Sequence, residues 1–194
     1  YICHPSMANN ELSGPVVATF IGKWLASQPR RYTYRIVFIP ETIGSITYLS
    51  QHLEELRENV LVGFNLSCIG DDKAYSYVAS PYEKTLADKV ASNVLSFKHP
   101  DFIKYSFLYR GSDERQYCSP GVDLPLVTLC RSKYGKYPEY HTSLDNLDFV
   151  TLEGLLGGYG LVQDCISVIE NNRVFRVTCY GEPQLGKLGL YPNL

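Results

Sequence analysis

The run from Val60 to Cys68 constrains this chain more than any other segment, because it reads as an apolar strand of the kind buried in a parallel sheet. A β-strand turns alternate side chains to opposite sides, so such a strand needs cover above and below. A parallel sheet sandwiched between helices supplies that cover. The neighbouring segments have the matching pattern. Val16, Val17, Phe20, Ile21, Trp24 and Leu25 repeat at the helical period over 12–27, with Ser13-Gly14-Pro15 at the start and Pro29 at the end. Ile46, Leu49, Leu53 and Leu56 line one face of a second helix over 44–59, and further helices are predicted over 85–97 and 151–170. Strand-like runs lie between them at 32–39, 75–79, 104–109 and 124–130. The alternation predicts an α/β fold in three layers, a mixed, mostly parallel sheet with helices on both faces.

The 194 residues suit one such domain. Its predicted extent is 1–170, with its N-terminal part missing, followed over 171–194 by a strand-like Val174–Thr178 and a Gly/Pro-rich linker. Tyr1 is not an initiator methionine, so the sequence is expected to be an internal piece of a longer protein. A formal net charge of −2 offers no electrostatic pull toward nucleic acid or an anionic membrane. No apolar run reaches the ~18 residues that a membrane span needs. The six cysteines include no Cys-x-x-Cys pair. Cys68, Cys130, Cys165 and Cys179 fall in apolar segments and are expected to pack as small hydrophobes, a usage that suits a reducing cytoplasm.

Of the four histidines, His52 lies in a charged helix and His99 in a turn before Pro100. His4 and His141 differ, since each follows a strand-like segment and opens a polar loop. Ligands in α/β sheets gather beyond the carboxyl ends of strands, and paired imidazoles there could bind a metal or simply be hydrogen-bonded loop residues. Other polar loops follow predicted strands: Asn10 and Glu11, then Glu41-Thr42, then Ser67 with Asp71-Asp72. A free glutamate beside a metal would serve as the base for water, whereas Glu41 could equally cap the helix behind it. Asn10, Glu11 and Ser13 also match helix-capping chemistry, and Arg110 to Arg115 has the mixed charge of a solvated loop.

Four motifs carry a closer likeness. They are His4-Pro5-Ser6-Met7-Ala8-Asn9-Asn10-Glu11-Leu12-Ser13-Gly14-Pro15, Pro40-Glu41-Thr42-Ile43-Gly44-Ser45, Arg110-Gly111-Ser112-Asp113-Glu114-Arg115-Gln116-Tyr117-Cys118-Ser119-Pro120-Gly121, and Tyr137-Pro138-Glu139-Tyr140-His141-Thr142-Ser143-Leu144-Asp145-Asn146. Together they resemble a bacterial family of aminopeptidase-like proteins, some near polysaccharide biosynthesis genes and often with a C-terminal winged helix. Glu182-Pro183-Gln184-Leu185-Gly186-Lys187 resembles the segment ahead of that winged helix. The family is distantly similar to the two-zinc aminopeptidases, whose sheet is mixed and eight-stranded.

The resemblance implies site roles. His4 matches the first histidine ligand and His141 the last. Asn10 falls where those enzymes keep the aspartate bridging both metals, and Ser67 on the aspartate completing the second metal's ligands. Glu41 falls on the general base and Thr42 on an adjacent glutamate ligand, and a small alignment shift would make Glu41 the ligand instead. Asn10, Thr42 and Ser67 are neutral, so the resemblance implies one zinc ion rather than two. Glu11 or Asp71 would be substitute ligands. Asp113 or Glu114 would receive a substrate ammonium, and Arg115 a carboxylate. The implied function is a zinc-dependent aminopeptidase-like hydrolase that cleaves an amide of a peptide or small molecule with metal-activated water. The alternatives are a peptidase-fold scaffold without turnover and an enzyme processing acylated sugars in polysaccharide biosynthesis.

Overall fold

The computed structural model describes residues 1–191. In chain order they form a π-helical turn at Ala8–Leu12, helices α1 (Ser13–Leu25) and α2 (Ile43–Asn59), and strands β1 (Gly63–Leu66) and β2 (Ser76–Val78). Then come α3 (Leu86–Lys98), β3 (Ile103–Tyr105), a 3-10 turn at Phe107–Tyr109, α4 (Glu114–Tyr117), β4 (Leu126–Cys130), α5 (Leu152–Asn171) and a last 3-10 turn at Leu185–Leu188. The sheet order is β1-β4-β2-β3. β1 runs parallel to β4 with Phe64 opposite Val127, and β2 runs parallel to β3 with Tyr77 opposite Lys104. β2 and β4 are antiparallel, so the sheet is mixed but mostly parallel.

The two-residue period of β4 explains the layers. Val127 and Leu129 face one side, where α1, α3 and α5 cover them with Val17, Ile21, Ala91, Val94, Leu161 and Cys165. Cys130 faces the other side, with Val78, Cys68, Tyr134, Tyr137 and Phe149. Leu129 is fully buried, and removing a leucine side chain from water contributes roughly 1.5–3 kcal/mol. On that second side α4 packs on β4 and against α2. The helices begin where local chemistry stops the strand pattern. Thr85 accepts from the Asp88 N–H at 3.2 Å while the Asp88 carboxylate accepts from the Thr85 N–H at 3.0 Å, a reciprocal cap worth ~1 kcal/mol.

Two glycines allow close backbone approaches. A Cβ on Gly14 would collide with the Leu66 carbonyl oxygen, and one on Gly154 with the Gly70 carbonyl oxygen. The first turns of α1 and α5 therefore both press on the chain leaving β1.

Several predicted elements change. Tyr32–Ile39 forms no ladder among the described residues: Pro40 makes an isolated parallel bridge to Ile2, and the Ile2 N–H donates to the Ile39 carbonyl at 2.8 Å. Strand propensity in this run is met by no partner long enough to build a ladder. Of the run 104–109 only Lys104 and Tyr105 are strand, as the end of β3, because the Ser106 hydroxyl accepts from the Leu108 N–H at 3.3 Å and turns the chain into a 3-10 helix. Val174–Thr178 is not a strand; Val174, Phe175 and Val177 project almost fully exposed. Cys179 is exposed rather than packed, while Cys68, Cys118, Cys130 and Cys165 are the buried free thiols. Of the predicted linker, residues 192–194 lie outside the described residues.

Candidate active site

Asp145 joins the two histidine loops. Its carboxylate accepts from the N–H groups of Asn9 at 2.6 Å and Asn10 at 3.0 Å, and its carbonyl accepts from the Ala8 N–H at 3.0 Å. It thereby satisfies donors at the start of the helical run that opens at Ala8–Leu12, where a helix has no internal acceptors. Negative charge is also favoured at that end. Within its own loop, the Asp145 N–H donates to the Thr142 carbonyl at 3.1 Å. The His141 loop is thus fastened to the turn that carries Asn10.

The π-helical turn places Asn10 and Glu11 side by side, with Glu11 against His4. The Glu11 carboxylate, almost wholly buried, accepts from the Cys3 N–H at 2.7 Å, meets His4 Nδ1 at 3.0 Å and accepts from Asn10 Nδ2 at 3.0 Å. A carboxylate on Nδ1 fixes an imidazole with its proton on that nitrogen, leaving Nε2 as the free lone pair. Asn10 Nδ2 also donates to the Tyr1 hydroxyl at 2.7 Å, and that hydroxyl shares a 3.0 Å hydrogen bond with Ser67 Oγ. Asn10 Oδ1 is buried without a hydrogen-bond partner. The His141 ring lies 4.2 Å from that of His4, centroid to centroid, and stacks on Tyr140 at 3.9 Å. His141 has φ of 58°, in the left-handed region, and burial first, then the neighbouring His4 imidazole, hold its pKa below the ordinary value.

Glu41 enters from another element. The Ile43 N–H donates to the Glu41 carbonyl at 2.7 Å across Thr42, whose φ of 61° and ψ of −69° make a γ-turn of the strained, positive-φ kind. Two side chains secure the turn: Asp113 Oδ1 accepts from the Thr42 N–H at 2.9 Å, and Arg115 Nη2 donates to Thr42 Oγ1 at 3.0 Å. Arg115 also stands 3.8 Å from Glu41 Oε1. Burial first, and then the Asp113 charge, hold the Glu41 carboxyl above its ordinary pKa, while Arg115 and the Cys3 thiol partly offset them. Asp113 and Arg115 thus act on the backbone and side chain around Glu41.

Asp71 and Glu114 stand apart. The Asp71 carboxylate accepts from Asn9 Nδ2 at 3.0 Å, the Lys73 N–H at 3.0 Å, the Ser132 N–H at 2.9 Å and Ser132 Oγ at 2.7 Å. Glu114 accepts from the N–H groups of Gly111 and Ser112 and from Tyr134, Thr128 and Asn65 side chains. Both are buried network centres with their oxygens engaged. Ser13 is no helix cap either; its hydroxyl donates to the Asn9 carbonyl at 2.5 Å and accepts from the Ile69 N–H at 3.0 Å. Two residues of the site escaped sequence reasoning in these roles. Asp145 was visible only as a loop neighbour of His141, and Tyr1 carried no signal at all.

The donor chemistry bears on a metal. Two zinc ions do not fit it, because Asn10, Thr42 and Ser67 are neutral and, among the described residues, no three His, Cys, Asp or Glu side chains stand together as a ligand set. For one ion the donors left are the two imidazoles and the buried, unpartnered Asn10 Oδ1, short of a full set of His, Cys or carboxylate ligands.

Comparison with known proteins gives a consistent frame. Residues 1–172 match a family model described as a domain of unknown function, DUF4910. The chain is 42% identical over 192 residues to a Clostridium acetobutylicum protein with the provisional name polysaccharide biosynthesis protein with aminopeptidase-like domain, covering 98% of this chain and 44% of that protein. A Clostridium acetobutylicum crystal structure provisionally described as a peptidase superposes with a TM-score of 0.88 at 41% identity, over 95% of this chain and 43% of the other. A zinc aminopeptidase from Bacillus subtilis has a TM-score of 0.68 at 18% identity, over 85% of this chain and 42% of the other, and shares the fold. The chain thus spans less than half the length of these relatives.

Proposed function

This chain belongs to the DUF4910 family, and on that premise we propose that it is an amide-cleaving hydrolase domain of the aminopeptidase fold working with a single zinc ion. The observation that supports this reading is the His4–Glu11 pair, which leaves His4 Nε2 free with the His4 ring 4.2 Å from that of His141. His4, His141 and Asn10 would hold the ion. Zinc, when bound, polarises a carbonyl and lowers the pKa of water.

The rest of the chemistry falls to the chain. Glu41 is the proton carrier: its raised pKa brings a carboxylate closer to neutral pH, where it accepts a proton at Oε and returns it to a leaving amine. Arg115 and Asp113 hold the turn behind it. The substrate is an amide in a peptide or in an acylated sugar, and the name of the Clostridium relative favours the sugar. Among the described residues no helix is long and apolar enough to cross a membrane, and a cytoplasmic enzyme acting on a precursor fits that feature.

Elemental analysis of the full-length protein purified without added metal tests the reading. About one zinc per chain, lost in His4→Ala and His141→Ala, is expected. Glu41→Gln should keep the zinc and lose hydrolysis of aminoacyl amides and N-acylated sugars. A second reading, a ligand-binding domain without turnover, is favoured by the neutral Asn10, Thr42 and Ser67. It predicts no hydrolysis in the wild type and a sugar or peptide ligand that still binds after Glu41→Gln.

A further inference from the structure

One surface of the molecule sets its cations against aromatic rings rather than against carboxylates. Lys133 Nζ lies 3.7 Å from the centroid of the Tyr134 ring and 5.5 Å from that of Tyr105. The Tyr105 ring meets Tyr109 edge-on at 6.2 Å, and Lys136 Nζ lies 5.7 Å from the Tyr109 centroid. Next in the chain, the Arg110 guanidinium stands 4.9 Å from the centroid of Phe107. Rings and cations thus alternate across two segments, 105–110 and 133–136. Among the described residues no carboxylate forms an ion pair with Arg110, Lys133 or Lys136, whereas Lys73, Lys98 and Lys104 each have one. Lys133 is 6% exposed, and its ammonium donates to the Tyr134 carbonyl at 3.2 Å. Burial holds its pKa below the ordinary value, and an anion arriving nearby would favour the charged form. Toward solvent the surface presents Arg110, Lys136, Leu108 and Tyr109, all exposed.

A ring beneath a long cationic side chain holds it in place, so less entropy is lost when an anion arrives. The cation keeps donors for that anion: Arg110 spends Nη1 on the Phe107 carbonyl at 3.4 Å and no other hydrogen bond occupies its guanidinium. A sugar ring complements the rest, because its C–H face packs on the electron-rich face of an aromatic ring. We propose that this surface binds an acidic saccharide, with its carboxylate or phosphate on Arg110 and Lys136 and a sugar face on Tyr109. Lys133 does not touch the ligand; its buried charge adds to the attraction from behind. A nucleic acid also offers rings and phosphates, but the array is short and the chain carries a formal net charge of −2, which favours the smaller ligand. Both segments run on into the candidate site, from Arg110 to Asp113 and from Lys136 to His141. The Tyr134 hydroxyl ties them together, accepting from the Gly111 N–H at 3.1 Å and donating to Glu114 at 2.6 Å. A saccharide held here is the substrate class for the amide chemistry at Glu41. That link rests on the hydrolase reading above, whereas the binding itself needs neither turnover nor a metal.

The test is isothermal titration calorimetry of the full-length protein with trigalacturonate, glucose 1-phosphate, inorganic phosphate and neutral maltotriose. At least one of the two acidic sugars should bind, more weakly as salt is added, and at least about tenfold tighter than maltotriose. The preferred acid tells a carboxylate source from a phosphate source, and inorganic phosphate, which has no sugar face, should bind more weakly than glucose 1-phosphate. Arg110→Ala and Lys136→Ala should each weaken binding by roughly three- to tenfold. Tyr109→Ala should weaken it as well, and Tyr109→Phe should not. All three side chains are exposed, so these variants are expected to fold. Lys104→Ala, which removes an ammonium already paired with Glu83, should stay within about twofold of the wild type. Acidic sugars that bind no better than maltotriose overturn the assignment. So does unchanged affinity in Arg110→Ala and Lys136→Ala, or tighter binding of oligodeoxythymidylate than of either acidic sugar. Saccharide binding without hydrolysis of any amide leaves the surface standing and overturns the hydrolase reading; hydrolysis without saccharide binding does the reverse.

Discussion

Replacing Asp145 by asparagine removes one oxygen from the joint between the two histidine loops at almost constant volume. The native carboxylate, 1% exposed, accepts from the Asn9 N–H at 2.6 Å and the Asn10 N–H at 3.0 Å, with the Tyr137 hydroxyl at a long 3.4 Å. An asparagine keeps one carbonyl oxygen and turns an NH2 group toward the other N–H, donor against donor. The loss is one hydrogen bond to a charged group, ~1.5–3 kcal/mol, plus a buried donor left unsatisfied at ~1–3 kcal/mol. Removing a buried charge returns part of this, because that charge no longer has to be desolvated. The net expectation is about 3 kcal/mol. For a chain of this size each kcal/mol lowers the melting temperature by ~2–4 °C, so Asp145→Asn should melt ~6–12 °C below the wild type. Thermal unfolding followed by circular dichroism reads this directly. Asp148→Asn, an exposed change in the same loop, serves as control and should stay within ~0.5 kcal/mol of the wild type. Equal melting temperatures for the two variants would refute the joint.

Other tests address Glu41 and the long helix. Glu41 is held above its ordinary pKa of 4.5, so the folded state binds its proton more tightly than the unfolded chain. Its contribution therefore falls as pH rises from 4.5 through the raised value, and Glu41→Gln should lose less stability than wild type over that window. Denaturant midpoints taken across that range check this, and parallel pH profiles for the two proteins would count against it. Gly154→Ala should destabilise by ~1–3 kcal/mol, because the new methyl group meets the Gly70 carbonyl and pushes α5 off the loop behind β1. Gly160→Ala, in the same helix and with nothing within 4 Å of its Cβ, should stabilise by ~0.5–1 kcal/mol. Urea denaturation of the pair separates packing from helix propensity, and a Gly154→Ala protein as stable as the wild type or more so would show that the Gly154 contact is not limiting.

Period and punctuation in the sequence were enough for much of the fold. The 3.6-residue spacing in Val17, Ile21 and Leu25 is the buried stripe of α1, and within the run 60–68 a strand forms at Gly63–Leu66, with Phe64 and Leu66 on the core and Asn65 bonded to Glu114 and Thr128. Those features are local: each residue's face follows from its neighbours in the chain. His4 does follow the bridge at Ile2, whereas His141 lies in the middle of the stretch between β4 and α5, and the structure brings their rings together. Tertiary structure decided the rest. Tyr32–Ile39 has every mark of a strand, yet a ladder also needs a partner, and the run makes only an edge contact with Ile2. Asp71, Glu114, Glu11 and Asp145 are all acidic residues in polar loops, alike to any sequence reading. Distant donors separate them: Ser132 and Asn9 engage Asp71, Tyr134 and Thr128 engage Glu114, and Asn9 with Asn10 engages Asp145 across 136 and 135 positions of chain. Sequence by itself determines which side chains could donate or accept charge. Which of them stay free for chemistry depends on hydrogen bonds between segments far apart in the chain, and those bonds exist only once the layers have packed.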